Sequence, residues 1–224
     1  PMPYSADHKL QSRERIRQAA ADLFCRQGYD SVSISQVMKH AKMTHGAFYA
    51  HFSSKGALYS EAIKSAAEQS MFTQEKGNLT LAKIVNLIRQ YLSLEHVNQK
   101  VPPCPLAFLS TDIAHRDKHV KASYEAVFNG MIKTLSKALF EQVLMREEAK
   151  STQKSDKQNH QHTDEQTEKQ GIEAARALAQ QLMVSLVGTV SIARSIADPN
   201  AQKSLLDNTK TSLIALLKRT DEEG

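Results

Sequence analysis

The chain has 224 residues, 41% of them apolar, which is long enough to bury a core without disulfide or metal staples. Its two cysteines, Cys25 and Cys104, stand far apart in no ligand-like spacing, which argues against a structural zinc and for a reducing compartment. The net charge of +5 is modest, yet residues 1–56 hold eight Lys/Arg against four Asp/Glu, an excess that would attract a polyanion such as DNA.

Pro1 precedes Met2 and is set aside. Apolar residues recur at spacings of three and four through most of the chain, so an all-α protein is expected. The first helix runs over about 9–27, with Ile16, Ala20, Leu23 and Phe24 in one stripe, and Gly28 ends it. Ser33 followed by Gln36 makes a capping box, and Val32 with Val37 a hydrophobic staple, so a second helix starts at Ile34 and ends near Ala41. Thr44 is the next N-cap candidate, for a two-turn helix over 44–52 that buries Phe48 and Phe52. Two short helices with a tight connection form a helix-turn-helix, and a domain over residues 1–55 follows from it. Ser53 and Ser54 cap a longer helix that ends before Gly77.

Residues 56–224 then read as a second, helical domain. Helices are expected over 80–95, from Pro105, over about 118–147, 171–196 and 200–219. A polar run at 152–169 carries no apolar side chain, so a flexible loop is expected over about 150–170. No stretch approaches the roughly 18 apolar residues of a membrane span, and the first residues lack a signal-peptide core. A soluble, cytoplasmic protein without membrane contact is the expectation. The histidines in His160-Gln161-His162 lack further ligands, so no metal and no cofactor is expected.

The stretch SISQVMKHAKMTHGAFYAHFSSK, with FCRQGYD before it and GALY after it, resembles the DNA-binding domain of the TetR family of transcriptional regulators over about residues 10–60. The resemblance implies that Thr44, His45, Gly46, Tyr49 and His51 meet the major groove or its flanking phosphates. With Phe48 and Phe52 inward, these residues lie on the outer face, and Gly46 would let backbone approach the duplex. Lys55 and the capping hydroxyls of Ser33 and Ser54 would meet phosphates at helix N-termini. Two bland readings stand beside these: Tyr49 as a half-buried core residue, and His51 as a helix C-cap. Where the family usually has an acid after the lysine, this chain has Gly56.

The resemblance further implies a ligand-responsive repressor, with residues 56–224 as its helical effector-binding and dimerisation domain. It would bind a palindromic double-stranded DNA operator as a homodimer paired through its last two helices. Candidate contacts to a small-molecule effector are Tyr91, Cys104, Phe108, Tyr124, Phe128 and Met131. The segment PPCPLAFLSTDIA resembles a branch with cysteine at this place, some of whose members sense electrophiles or oxidants, and Cys104 precedes a helix N-terminus that favours thiolate. An inert buried thiol is the competing reading. No phosphate loop, nucleophile elbow or HExxH motif is present, so an enzyme is not expected. The alternative of another class is a helical protein-interaction module with a basic surface and no specific DNA target.

Overall fold

The computed structural model describes residues 6–75, 77–153 and 165–222. In chain order these form α1 (Ala6–Gln27), α2 (Ile34–His40), a 3₁₀ segment (His45–Ala50), α3 (Lys55–Glu68), α4 (Met71–Gln74) and α5 (Leu81–Tyr91). There follow α6 (Leu94–Val97), α7 (Pro105–Ile113), α8 (Lys118–Gln153), α9 (Glu165–Ala193) and α10 (Pro199–Glu222). No strand occurs among the described residues.

Two compact units divide the chain. The first holds residues through Gln74 together with Gln99–Phe128, so the unit carrying the helix-turn-helix is larger than residues 1–55. It recruits α7 and the opening turns of α8, and α7 packs on α1 and α3. Its core is Ile16, Ala20, Phe24, Val37, Met38, Phe48, Leu58, Tyr59 and Ile63, each at most 1% exposed. The second unit holds Glu75–Asn98 and the chain from Asn129, with α10 packed on α9 and α5.

Local chemistry explains the element ends. Gly28 takes φ +79° and closes α1 with a bond from its N–H to the Phe24 carbonyl at 2.8 Å. At α2 the Gln36 N–H donates to Ser33 Oγ at 3.2 Å and the Ser33 N–H to Gln36 Oε1 at 2.7 Å, the reciprocal box read from the sequence. The helix ends in a Schellman motif: Met43 N–H donates to Met38 O at 2.9 Å and Lys42 N–H to Lys39 O at 3.0 Å. Lys42 takes the left-handed position of that motif, φ 56°, where glycine is usual.

Several expected boundaries shift. The helix expected to reach Gly77 breaks after Glu68, because Gln74 Nε2 and Thr73 Oγ1 donate to the carbonyls of Glu68 and Ala67 at 2.7 Å each and take over their hydrogen bonding. The 80–95 helix stops at Tyr91, and Ser93 caps a separate turn through the His96 N–H at 3.2 Å. Around the polar run, α8 continues to Gln153 and α9 begins at Glu165, so both edges of the expected loop are helical. Residues 154–164, including His160 and His162, lie outside the described residues.

One expectation about membranes is corrected: Glu168–Ala193 is long and apolar enough, by length and composition, to cross a bilayer. That apolarity has a use within the second unit, where Ala179, Leu182, Met183, Leu186 and Val190 of α9 are each at most 1% exposed.

Candidate nucleic-acid interface

The segment that follows α2 is a 3₁₀ helix rather than the two α-helical turns expected over 44–52. Six residues, a glycine at its second position and no side-chain cap leave little to hold an α-helix. Thr44 occupies the N-cap position with extended backbone, but its hydroxyl makes no capping bond. The inward anchors are as expected: Phe48 is 0% and Phe52 4% exposed, their rings stacked with centroids 5.9 Å apart. Outward stand Thr44, His45, Gly46 and Tyr49, all exposed, with the His45 ring edge-on to Tyr49 at 6.2 Å. Tyr49 is 66% exposed, so it is no core tyrosine.

Gly46 has an ordinary φ, and a Cβ built on it would meet nothing within 4 Å. The fold therefore does not require glycine there. His51 departs from the expected outer face: it is half-buried and its Nδ1 has no hydrogen-bond partner among the described residues. Burial, then Lys9 and Arg13, holds its imidazole below the usual histidine range. Ser33 and Ser54 are exposed caps, the latter accepting from the Ala57 N–H at 3.0 Å.

The basic excess resolves into two populations. Most arginines are spent inside the unit. Arg13 donates to the His51 carbonyl at 2.7 Å and lies over the Phe52 ring at 4.5 Å. Arg15 donates to the Ala41 carbonyl at 2.6 Å and so ties α1 to the end of α2. Arg17 pairs with Glu14, Glu61 and Glu68, and Arg26 with Asp22. Lys9, Lys39 and Lys42 are exposed and pair with no carboxylate among the described residues. Sequence reading missed the work of Arg13 and Arg15. Their carbonyl partners lie 38 and 26 residues away along the chain, beyond the reach of a local pattern.

Behind the recognition turn lies a cluster centred on Asp112 of α7. Its carboxylate accepts from the Tyr59 hydroxyl at 2.6 Å, the Tyr29 N–H at 3.0 Å and Arg116 Nε at 3.1 Å. Burial alone would raise this carboxyl, but the bonds from Tyr59, Arg116 and Tyr29 hold it below the usual range. Arg116 also forks onto Asp30 at 2.7 and 3.3 Å. Both Arg116 and Lys55 lie over the Tyr29 ring, at 4.3 and 4.1 Å. Lys55 is thus engaged with Tyr29, and burial pulls its ammonium below the ordinary lysine range. Gly56 leaves room here: a Cβ would lie 3.8 Å from Asp117 Oδ2.

The candidate effector residues fall in both units. Cys104, Phe108, Tyr124 and Phe128 belong to the first, Tyr91 and Met131 to the second. Cys104 is 2% exposed at the N-cap of α7 and gives no side-chain cap. The half-buried Tyr124 donates to the Leu106 carbonyl at 2.8 Å, and burial, with Cys104 nearby, pushes its hydroxyl up to about 12. Phe108 and Met131 are 7% and 8% exposed, and Phe128 is half-buried. Tyr91 is fully buried, edge-on to His96 at 4.4 Å.

Residues 16–62 match the family model described as "Bacterial regulatory proteins, tetR family". The A-factor receptor protein of Streptomyces griseus is 36% identical over 70 residues, which are 31% of this chain and 25% of the receptor. The chain thus spans about a quarter of that relative's length. Two solved structures extend the likeness in fold to nearly the whole chain. A TetR transcriptional regulator from Chloroflexus aurantiacus superposes with a TM-score of 0.64 at 19% identity, over 95% of this chain and 96% of that one. The reduced form of NemR from E. coli gives 0.62 at 18% identity, over 91% and 96%. Residues 16–62 thus match the helix-turn-helix domain of the tetR family of bacterial regulatory proteins, and the all-helical fold of the chain is like that of solved TetR regulators.

Proposed function

We propose that this regulator is a cytoplasmic, homodimeric repressor that binds a palindromic operator and is released by a small-molecule effector, acting by binding and not by catalysis. The observation that carries the reading is the 3₁₀ segment. Phe48 and Phe52 anchor it from below, while Thr44, His45, Gly46 and Tyr49 leave a polar and aromatic surface unspent. Lys9, Lys39 and Lys42 supply the phosphate-facing charge, and Ser33, Ser54, Lys55 and His51 contribute from the flanks. A mobility-shift comparison of the gene's own upstream region with scrambled duplex at fixed salt tests it. Preference for the upstream DNA by two or more orders of magnitude is expected, whereas equal binding would favour a basic protein-interaction module.

Dimerisation is supported by α9. Val184 and Ile192 are 62% and 58% exposed, and Gly188 lies between them one turn from each, open to close approach. A two-fold pair would present recognition turns about 34 to 36 Å apart, or a multiple, on one face of the duplex. Val184→Glu should yield monomers by sedimentation and abolish tight operator binding.

For release, α7 is the element with leverage, since Asp112 grips both the Tyr29 backbone and Tyr59. An effector contacting Phe108, Tyr124 or Phe128 would alter that grip, and Tyr91 and Met131 are separate candidates within the second unit. Cys104, on the same helix, offers a thiol-reactive route. With Cys25 replaced by serine, alkylation should lower operator affinity, and unchanged affinity would remove the thiol route alone.

A further inference from the structure

The second unit carries a groove between α8 and α9 that none of the candidate effector residues lines. It has a volume of about 550 Å³, within the range of sites that hold small organic ligands. Ile132 and Phe140 of α8 and Ile172 of α9 give it an apolar floor, and Ile172 is 47% exposed. Lys133 and Lys137 of α8 and Arg176 of α9 rim it. Lys133 and Arg176 pair with no carboxylate among the described residues, while Lys137 reaches only the outlying Glu141 at 3.7 Å. The Ser136 hydroxyl is spent on the Ile132 carbonyl at 2.7 Å, so recognition falls to the cations.

Gly171 sets the shape of one wall. A Cβ there would stand 3.0 Å from Phe140 Cε2, so the missing side chain lets the phenyl ring lie against the α9 backbone. The open volume beside the ring depends on that contact.

We propose that this groove binds a small amphiphile with an anionic head, its hydrocarbon body on Ile132, Phe140 and Ile172 and its carboxylate or equivalent anion between Lys133, Lys137 and Arg176. Apolar contact without charge would leave three cations along a hydrophobic trough, and charge without the apolar body would leave the trough wet. An anionic amphiphile satisfies both. A second copy of the chain is a poorer occupant, because two-fold pairing would bring like cations together.

Calorimetric titration of the full chain, without DNA, tests this with decanoate, decanol and acetate. Decanoate should bind with 1:1 stoichiometry per chain, decanol about tenfold or more weakly, and acetate not measurably. The double variant Lys133→Gln with Arg176→Gln lies on exposed positions. It should lose about tenfold or more for decanoate while leaving decanol unchanged. Gly171→Ala, whose methyl would crowd the Phe140 ring and force it to shift, should weaken both. Decanol binding as tightly as decanoate, or a double variant that binds decanoate like the parent, would overturn the proposal. So would a double variant that changes the sedimenting species while decanoate fails to bind the parent, since the groove would then belong to a chain–chain contact. None of these readouts involves the operator, so their failure leaves the regulator reading standing.

Discussion

The recognition turn and the Asp112 cluster belong to one compact unit and use opposite chemistry. Around Asp112 every strong polar group is spent: the carboxylate accepts from Tyr59, Tyr29 and Arg116, and Arg116 and Lys55 share the Tyr29 ring. At the recognition turn the Thr44 hydroxyl makes no cap, Tyr49 is two-thirds exposed and Gly46 faces open space. A satisfied cluster fixes geometry, whereas an unsatisfied one keeps its hydrogen bonds for a partner. On the proposed reading, the difference assigns stability to the first region and affinity to the second.

The sharpest way to break this contrast is Asp112→Ala. It leaves Tyr59 without its acceptor and Arg116 with only Asp30, and should cost about 3 to 5 kcal/mol in denaturant unfolding. If stability is unchanged, the cluster is not what holds α7 to the helix-turn-helix. A comparable effect is expected from His96 in the second unit, fully buried with Nδ1 2.8 Å from the Tyr91 carbonyl. Burial lowers its pKa to about 4, so between there and the unfolded value near 6.5 only the unfolded chain takes up the proton. Stability is full above pH 6.5 and falls as the pH drops toward 4, by about 3 kcal/mol at the lower end. A thermal-unfolding series against pH should show this, and His96→Gln should remove that part of the slope.

Smaller effects probe the recognition face. Tyr49→Ala should weaken operator binding by about 1 to 3 kcal/mol with an unchanged melting temperature. Gly46→Val should fold normally yet bind operator about tenfold more weakly, because the added methyls occupy space only a duplex would fill. The smallest change sharpens the comparison from both sides. Lys42→Gly relieves a left-handed lysine and should stabilise the unit by about 1 kcal/mol, while the loss of an exposed cation lowers the salt slope of DNA binding by about one.

How much of this was legible in the sequence depends on range. Ser33 with Gln36, Gly28 and the buried Phe48–Phe52 pair are local patterns, and each could be read within a few residues. The 3₁₀ geometry of His45–Ala50 was not legible, since the same spacing of phenylalanines suits an α-helix and the choice turns on a cap that Thr44 does not make. The charge excess was visible, but not its division into packed arginines and free lysines, which depends on what each guanidinium reaches. The Asp112 cluster lay furthest from view, joining residues 83 apart in Tyr29 and Asp112 that no periodicity connects. The partial burial of His51 was hidden for a related reason: Lys9 and Arg13 of α1 approach it only after folding.

The Tyr59 hydroxyl bound to a carboxylate has a practical consequence. The chain has six tyrosines and no tryptophan, so its ultraviolet emission is phenolic. An excited phenol held against a carboxylate can pass its proton across and lose much of its emission, so Tyr59 should be quenched while α7 is docked. Any event that lifts Asp112 away should brighten the protein, giving an optical signal of the coupled state that needs neither label nor DNA.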